Sequence, residues 1–305
     1  MRTILFINSI EKNCGVHSYG LRVFNILKNS NQYTFLYREI NSMAEYHILN
    51  ELHAPSAIIY NFHPLTMEWF EGCRTDAQKH YLIWHEGSEH TNLTPDYWLY
   101  PDCTIIDEGN KFGIPRPLIE GVELNYPKND IPVISSFGMG FGSKGFGRVV
   151  KTVNDQFDEA IIRLHMPFAY YGDRDESSRE KIYPGCYAEL KKPGIKLEIT
   201  NNFLDDNALL QFLAESDLNI FLYDEMLGRG LSSVIDYALS VKRPIAISNT
   251  WMMRHIKHTR PSICYEDRSL KEIINSGTEA LDQYREKWSN QELINKFELI
   301  LNKTL

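Results

Sequence analysis

One stretch of the chain combines the residue types that hold an anion. Val133-Ile-Ser-Ser-Phe-Gly-Met-Gly-Phe-Gly-Ser-Lys-Gly-Phe-Gly-Arg-Val-Val runs from an apolar segment through a glycine-rich loop into a helical pattern. Glycines let a ligand approach the backbone, a helix start presents unbonded N–H groups, and Lys144 adds a full positive charge. Three ligand chemistries compete for such a loop. Gly140, Gly142 and Gly145 satisfy the G-x-G-x-x-G spacing of a dinucleotide site, which expects an acid at the end of the next strand. That strand ends Arg163-Leu-His165-Met-Pro, with no acid. A Walker loop needs Ser or Thr after its lysine, and Lys144 is followed by Gly145. The third ligand is the diphosphate of a sugar nucleotide. A glycine loop with no ligand is the bland alternative, but a lysine at a helix start favours an anion.

A second segment, Ser216 to Ser248, repeats the pattern: a strand, a Gly228-Arg-Gly-Leu-Ser-Ser233 turn, and a helix. Ser232 or Ser233 is expected to cap that helix. The amides of residues 230 to 233, which include Gly230 and Leu231, would form a second phosphate cradle. Asp236 falls in the first turns, where a carboxylate can accept from ribose hydroxyls or simply favour the helix dipole.

Other signals are weaker. Asp173-Arg-Asp175 is a D-x-D triplet of the kind that holds a divalent cation, but it lies in a polar run, Tyr171 to Glu180, that reads as a solvated surface segment. No H-E-x-x-H spacing occurs among the ten histidines, so no metal site is assigned. His85, at a strand end, can hydrogen-bond a reacting sugar or a leaving phosphate, or be a satisfied structural histidine. Trp69, Trp84, Tyr60 and Phe62 could stack on an acceptor sugar, with core packing as the alternative. No G-x-S-x-G elbow is present.

Apolar β-rich runs alternating with helical patterns must position these residues. Strands are expected at Arg2–Asn8, Thr34–Tyr37, Ser56–Phe62, Tyr81–Trp84 and Thr104–Asp107, with helices at Val16–Leu27 and Ser42–Glu51 and a helix starting over Leu65–Phe70. Residues 109 to 131, rich in Pro, Gly and Asn, read as a connection. A second series follows, with strands at Val133–Phe137, Ala160–His165, Ile195–Ile199, Leu218–Tyr223 and Pro244–Ser248. Its helices are Phe146–Phe157, Ala208–Ser216 (capped by Asp205 or Asp206) and Leu231–Val241. The expected fold is therefore α/β, two Rossmann-like domains facing across a cleft. Residues 1–120 form the first domain and 121–285 the second, with 286–305 as a helix packing back across the hinge. Ligands of parallel sheets sit at the carboxyl ends of strands, which makes that cleft the default site.

Bulk properties narrow the classes. The chain has 305 residues, 43% hydrophobic, with a net charge of −8. An acidic total argues against a nucleic-acid partner. Five scattered cysteines, never in a C-x-x-C pair, argue against a disulfide framework and for a reducing, cytoplasmic setting. The N-terminus does not read as a signal peptide, and no apolar run approaches the roughly 20 residues of a membrane span. Peripheral contact with the inner face of a membrane stays open, with no strong basic patch to support it.

The second half resembles the donor domain of GT-B glycosyltransferases, above all the large retaining family with many bacterial lipopolysaccharide and capsule transferases. The resemblance rests on Phe137-Gly138 with Lys144-Gly145, on Phe203 to Ser216-Asp217, and on Ser232-Ser233 to Asp236-Tyr-Ala-Leu with Arg243-Pro244-Ile-Ala. More faintly, Asn13-Cys-Gly15-Val-His-Ser-Tyr is similar to that family's first glycine loop, and Trp84-His85-Glu86 to its active-site histidine region. The resemblance implies glycosyl transfer from a nucleoside diphosphate sugar to a hydroxyl of a glycan or glycolipid, retaining, with neither metal nor other cofactor. It implies Lys144, Arg229 and the amides from Gly230 to Ser233, with Gly142, on the diphosphate. Asp236 would hold the ribose, and Phe203 and Leu204 would lie under the base. His85 and the Asn13–Val16 loop, with Gly15, would face the acceptor. The chain departs from the family pattern twice. Gly228 stands where the first Glu of a Glu-x7-Glu pair is expected, with Glu225 nearby as a substitute. Met139 stands where an arginine is expected five positions before the lysine. A non-catalytic sugar-nucleotide or glycan-binding relative, and a nucleotide-dependent epimerase or dehydrogenase using Gly140 to Gly145, are the competing readings.

Overall fold

A computed structural model of the chain describes residues 1–12, 14–70, 72, 78–86, 93–168 and 177–305. The chain divides into two compact units. One comprises residues 1–117, 228–231 and 287–305, and the other 118–227 and 232–286.

The first unit is built on β1 (Arg2–Asn8), α1 (Gly15–Leu27), β2 (Tyr33–Glu39), α2 (Met43–His53), β3 (Ala57–Phe62), β4 (Lys79–Trp84), β5 (Tyr97–Tyr100) and β6 (Lys111–Gly113). The strands pair in parallel in the order β2-β1-β3-β4-β5-β6. The near-continuous apolar run of β1 follows from burial on both faces. Ile4 and Phe6 join Tyr19, Val23 and Leu27 of α1 in one core, which the C-terminal helix Asn290–Thr304 completes with Leu293, Phe297 and Leu301. Leu5 and Ile7 face the opposite core, with Tyr46, Tyr60 and Leu82. Glu298 of the C-terminal helix accepts from Ser30 Oγ (2.6 Å) and Gln32 Nε2 (2.8 Å) just before β2.

Two expected elements are absent. Thr104–Asp107 is not a strand. Pro101 ends β5, and the Asp102 carboxylate accepts from Thr104 N (2.9 Å) and Oγ1 (2.7 Å), which closes a turn there. The strands are β5 and β6, and β6 falls inside the segment read as a connection. Leu65–Phe70 forms turns in which His63 O accepts from the amides of Thr66 and Met67, both at 3.0 Å.

The second unit contains β7 (Val133–Phe137), α3 (Phe146–Gln156), β8 (Ala160–His165), α4 (Ser177–Ala188), β9 (Ile195–Thr200), α5 (Asp206–Ala214), β10 (Leu218–Phe221), α6 (Val234–Ser240), β11 (Ile245–Ile247), α7 (Leu270–Asn275) and most of α8 (Glu279–Lys287). Its strands run parallel in the order β11-β10-β7-β8-β9. The helix Asn290–Thr304 of the first unit is α9. Asp205 is the cap of α5, its carboxylate accepting from Ala208 N at 2.8 Å. Residues 177–180, read as solvated loop, begin α4. Pro184 and Gly185 inside it hide the helical pattern, yet Cys186 reaches the core. Expected over Leu231–Val241, α6 is shorter, and Ser232 N, ahead of it, donates to Met252 O (3.3 Å).

Candidate functional site

The carboxyl end of β7 runs into the glycine loop. Gly138 follows the strand with φ +151°, and its amide donates to His165 O at the end of β8 (3.1 Å). Gly142 to Lys144 make a tight 3₁₀ turn, and Gly145, at φ +67°, ends that turn and caps α3. No other residue fits there, because a Cβ on Gly145 would overlap the Leu222 carbonyl oxygen. Gly142 is open, with nothing near the position a Cβ would take. The loop is tied to the end of β10: Asp224 N donates to Ser143 O (2.9 Å). Arg148 of α3 donates to Leu222 O (3.3 Å) and Tyr223 O (3.2 Å) and pairs with the Asp224 carboxylate.

Lys144 is half-buried, and its ammonium lies 4.0 Å from the centre of the Tyr223 ring. Ser232 Oγ donates to the Tyr223 hydroxyl at 3.2 Å. Among the described residues no carboxylate pairs with Lys144, whereas Arg148 pairs with Asp224 and Arg163 with Glu215. Gly138, Lys144, Tyr223 and Ser232 thus come together at the carboxyl ends of β7 and β10. Phe203 and Leu204 follow β9; Phe203 is 66% exposed, an uncovered aromatic face at the same edge of the sheet.

Four expectations need correction here. Ser233 is the α6 cap residue but its backbone is helical and its side chain makes no capping bond, and Ser232 spends its hydroxyl on Tyr223. With the Ser232 amide on Met252 O, residues 230–233 do not form a free run of amides. Asp236 is not on a helix surface: it has no exposed area and is packed into the unit, so it presents no open carboxylate to a ribose. Glu225, the substitute for the missing family Glu, accepts from Trp251 N (3.1 and 3.2 Å) and so is committed to the 251–253 turn.

In the first unit His85 follows β4. Its Nε2 lies 2.7 Å from Asn61 Oδ1, and the ring meets Tyr19 edge-on at 4.8 Å. Burial, then the charge of Arg116 and the nearby His63, hold its pKa well below the usual imidazole value, so the ring is neutral at pH 7. Gly230 packs so closely that a Cβ would overlap the His85 carbonyl oxygen. Arg229 pairs with Glu86 (3.2 Å), which also faces His63 Nε2 at 3.4 Å. The positive charge expected of Arg229 is therefore shared with a carboxylate. Gly15 opens α1 with free space beside it. Asn13, Cys73 and the Asp173/Asp175 pair lie outside the described residues. Among the described residues no cluster of three or more His, Cys, Asp or Glu is arranged for a metal ion, and no helix is long and apolar enough to cross a membrane. Tyr60, Phe62 and Trp84 are buried core residues and present no face to an acceptor, and the partly buried Trp69 packs against the same core. Tyr223, Asn61 and Arg148 escaped the sequence reading as site residues, and Glu86 entered it only beside His85. The one signal was a polar residue closing an apolar strand, as in Ala57-Ile-Ile-Tyr-Asn61 and Arg2-Thr-Ile-Leu-Phe-Ile-Asn8.

No protein-family model matches the sequence, and no curated protein is significantly similar to it. Solved structures are similar in fold. Anabaena HepE, crystallised with UDP, superposes with a TM-score of 0.68 at 10% identity, covering 99% of this chain and 100% of that one. Sucrose-phosphate synthase from Thermosynechococcus elongatus gives 0.67 at 10% identity, over 99% and 97%. AviGT4, a glycosyltransferase involved in avilamycin A biosynthesis, gives 0.65 at 9% identity, over 99% and 98%. At such identities the likeness speaks for fold, and the chain has the two Rossmann-like domains of the GT-B glycosyltransferase fold.

Proposed function

We propose that this chain is a glycosyltransferase that moves a sugar from a nucleoside diphosphate sugar to a hydroxyl of a glycan or glycolipid. The observation that carries the reading is Lys144: an ammonium on a glycine loop at the carboxyl end of β7, with no carboxylate partner among the described residues. Burying or half-burying a cation without an anion is costly unless a ligand supplies one. HepE has been crystallised with UDP and with UDP and glucose, which makes a uridine nucleotide the first donor to try.

Lys144 would stabilise the leaving diphosphate, whose charge grows as the glycosidic bond breaks. Gly142, with open space beside it, would let the phosphates reach the backbone, and Phe203 and Leu204 would lie against the base. Neutral His85 would hydrogen-bond the sugar or the acceptor hydroxyl. Transfer with retention, without a metal, belongs to the same reading. An NAD-type oxidoreductase is less well supported, since β8 ends in His165 and Met166 rather than in an acid.

The test is a thermal-shift comparison of UDP, GDP and ADP, followed by an assay for acceptor-dependent release of free nucleoside diphosphate. A ligand bound only by the native state raises its stability. Stabilisation by one nucleotide and its release only with acceptor are expected. Binding without release under any acceptor would instead identify a non-catalytic binder.

A further inference from the structure

Five polar side chains join the carboxyl ends of four neighbouring strands in the first unit, and their chemistry fixes the direction of every bond. The Glu39 carboxylate, at the end of β2, accepts from the Tyr37 hydroxyl at 2.8 Å. With its hydrogen committed there, the Tyr37 oxygen accepts from Asn8 Nδ2 (2.9 Å), and the same nitrogen donates to His17 O (3.0 Å). Asn8 Oδ1 is then an acceptor, and takes Ser9 N (3.0 Å) and Asn61 Nδ2 (2.8 Å). Asn61 Nδ2 also donates to Val16 O at 2.7 Å. That orients Asn61 Oδ1 towards His85 Nε2, 2.7 Å away. An amide oxygen can only accept, so the imidazole carries its hydrogen on Nε2 and keeps its lone pair on Nδ1.

The arrangement is costly to build for packing alone. Asn8 and Asn61 have no exposed surface, and apolar side chains would fill the same volume without a desolvation cost. Helix α1 passes over the two amides at Gly20, where a Cβ would overlap Asn61 Nδ2. At the far end His17 Nε2 also reaches Glu39, at 2.8 Å. Burial alone would raise the Glu39 carboxyl, but the bonds from His17 and Tyr37 outweigh it and hold it below the usual value, so it stays an acceptor.

We propose that Asn61, Asn8, Tyr37 and Glu39 are positioning residues that lock His85 as the Nε2–H tautomer, leaving Nδ1 to accept a hydrogen bond from a hydroxyl of the reacting sugar or acceptor. This rests on the reading of His85 as a site residue. The groups that face the ring are Asn61, Tyr19, Arg116 and His63. None is an anion that would draw a second proton onto it.

The experiment is nitrogen NMR of the whole chain labelled at the histidine rings, with the His85 signals identified by their loss in His85→Gln. The expected spectrum has a protonated Nε2 and an unprotonated Nδ1, unchanged from about pH 8 to about pH 6. Asn61→Leu should mix the tautomers and lower kcat by about 10²-fold with KM for the donor changed less than about twofold. Asn61→Asp keeps the acceptor, adds a negative charge, and should raise the pKa of the ring and move the acid limb of the pH–rate profile upward. An Nδ1–H ring, or averaged tautomers in the parent protein, overturns the network, and this needs no variant beyond His85→Gln. A His85→Gln protein that turns over like the parent overturns the site role of His85 even if the tautomer is as stated.

Discussion

Replacing Lys144 with alanine tests the proposed donor site most directly. In the structure the ammonium rests 4.0 Å from the Tyr223 ring, and no carboxylate among the described residues competes for it. A unit charge about 4 Å away, at an effective dielectric near 20, interacts by about 4 kcal/mol. Between half and all of a unit charge develops on the leaving diphosphate, so the side chain should lower the barrier by about 2–4 kcal/mol, about 30- to 900-fold in turnover. The fold should lose little. One cation–π contact at a half-buried position contributes about 0.5–1 kcal/mol, so the melting temperature should fall by no more than about 4 °C. The assay is nucleoside diphosphate release at saturating donor and acceptor, with nucleotide affinity measured by calorimetry. Lys144→Arg should rescue poorly, because a planar fork does not replace a compact ammonium. Turnover within twofold of the parent, with nucleotide affinity unchanged, would refute the assignment of the glycine loop to the diphosphate.

Three further outcomes follow from the same geometry. Gly145→Ala forces a left-handed backbone on a residue whose Cβ overlaps the Leu222 oxygen; it should cost about 2–4 kcal/mol in urea unfolding and abolish the thermal shift with nucleotide. Phe203→Ala removes a ring that is 66% exposed, so stability should be unchanged while nucleotide Kd rises by about tenfold, read by calorimetry. Burial lowers the His165 pKa to about 4 from an ordinary 6.5. Between those values the unfolded chain binds more protons, so this contribution is complete above about pH 6.5 and is lost as pH falls towards about 4. His165→Gln should flatten the stability–pH slope in that window by up to about 1.4 kcal/mol per pH unit, and an unchanged slope would show that His165 titrates normally.

Much of the fold was legible because buried parallel strands are written as apolar runs. Val133–Phe137 and Ala160–His165 match β7 and β8 residue for residue, and the Gly138–Gly145 loop lies where its composition says. What escaped was encoded in tertiary contacts rather than in local pattern. Whether Thr104 begins a strand depends on the Asp102 side chain that closes a turn onto it. Whether Ser232 caps a helix depends on Tyr223 and Met252, residues outside the motif. Asp236 reads as a surface carboxylate from its place after a turn, and only packing shows that it has no surface. Asn8 and Asn61 look like strand-ending polar residues; their connection across 53 positions of sequence exists only once β1 and β3 pair.

The departures from the family pattern gain a common physical sense from the structure. The positions where that pattern offers an arginine and a glutamate hold Met139 and Gly228, and the nearby substitutes are spent elsewhere, Glu225 on the Trp251 amide and Arg229 on Glu86. Arg148, four residues after Lys144, is spent on Asp224 and two carbonyl oxygens of the β10 end. Each of these charges is satisfied inside the protein and would have to leave a partner to serve a ligand, at a cost of the order of an exposed to half-buried ion pair. Among the described residues Lys144 rests on an aromatic face alone, an interaction that an incoming phosphate can supplement without breaking it. On the proposed reading, the electrostatic work of leaving-group departure falls to Lys144. Within the second unit, orientation would on that reading fall to groups that carry no charge, the loop backbone at Gly142 and the Phe203 ring.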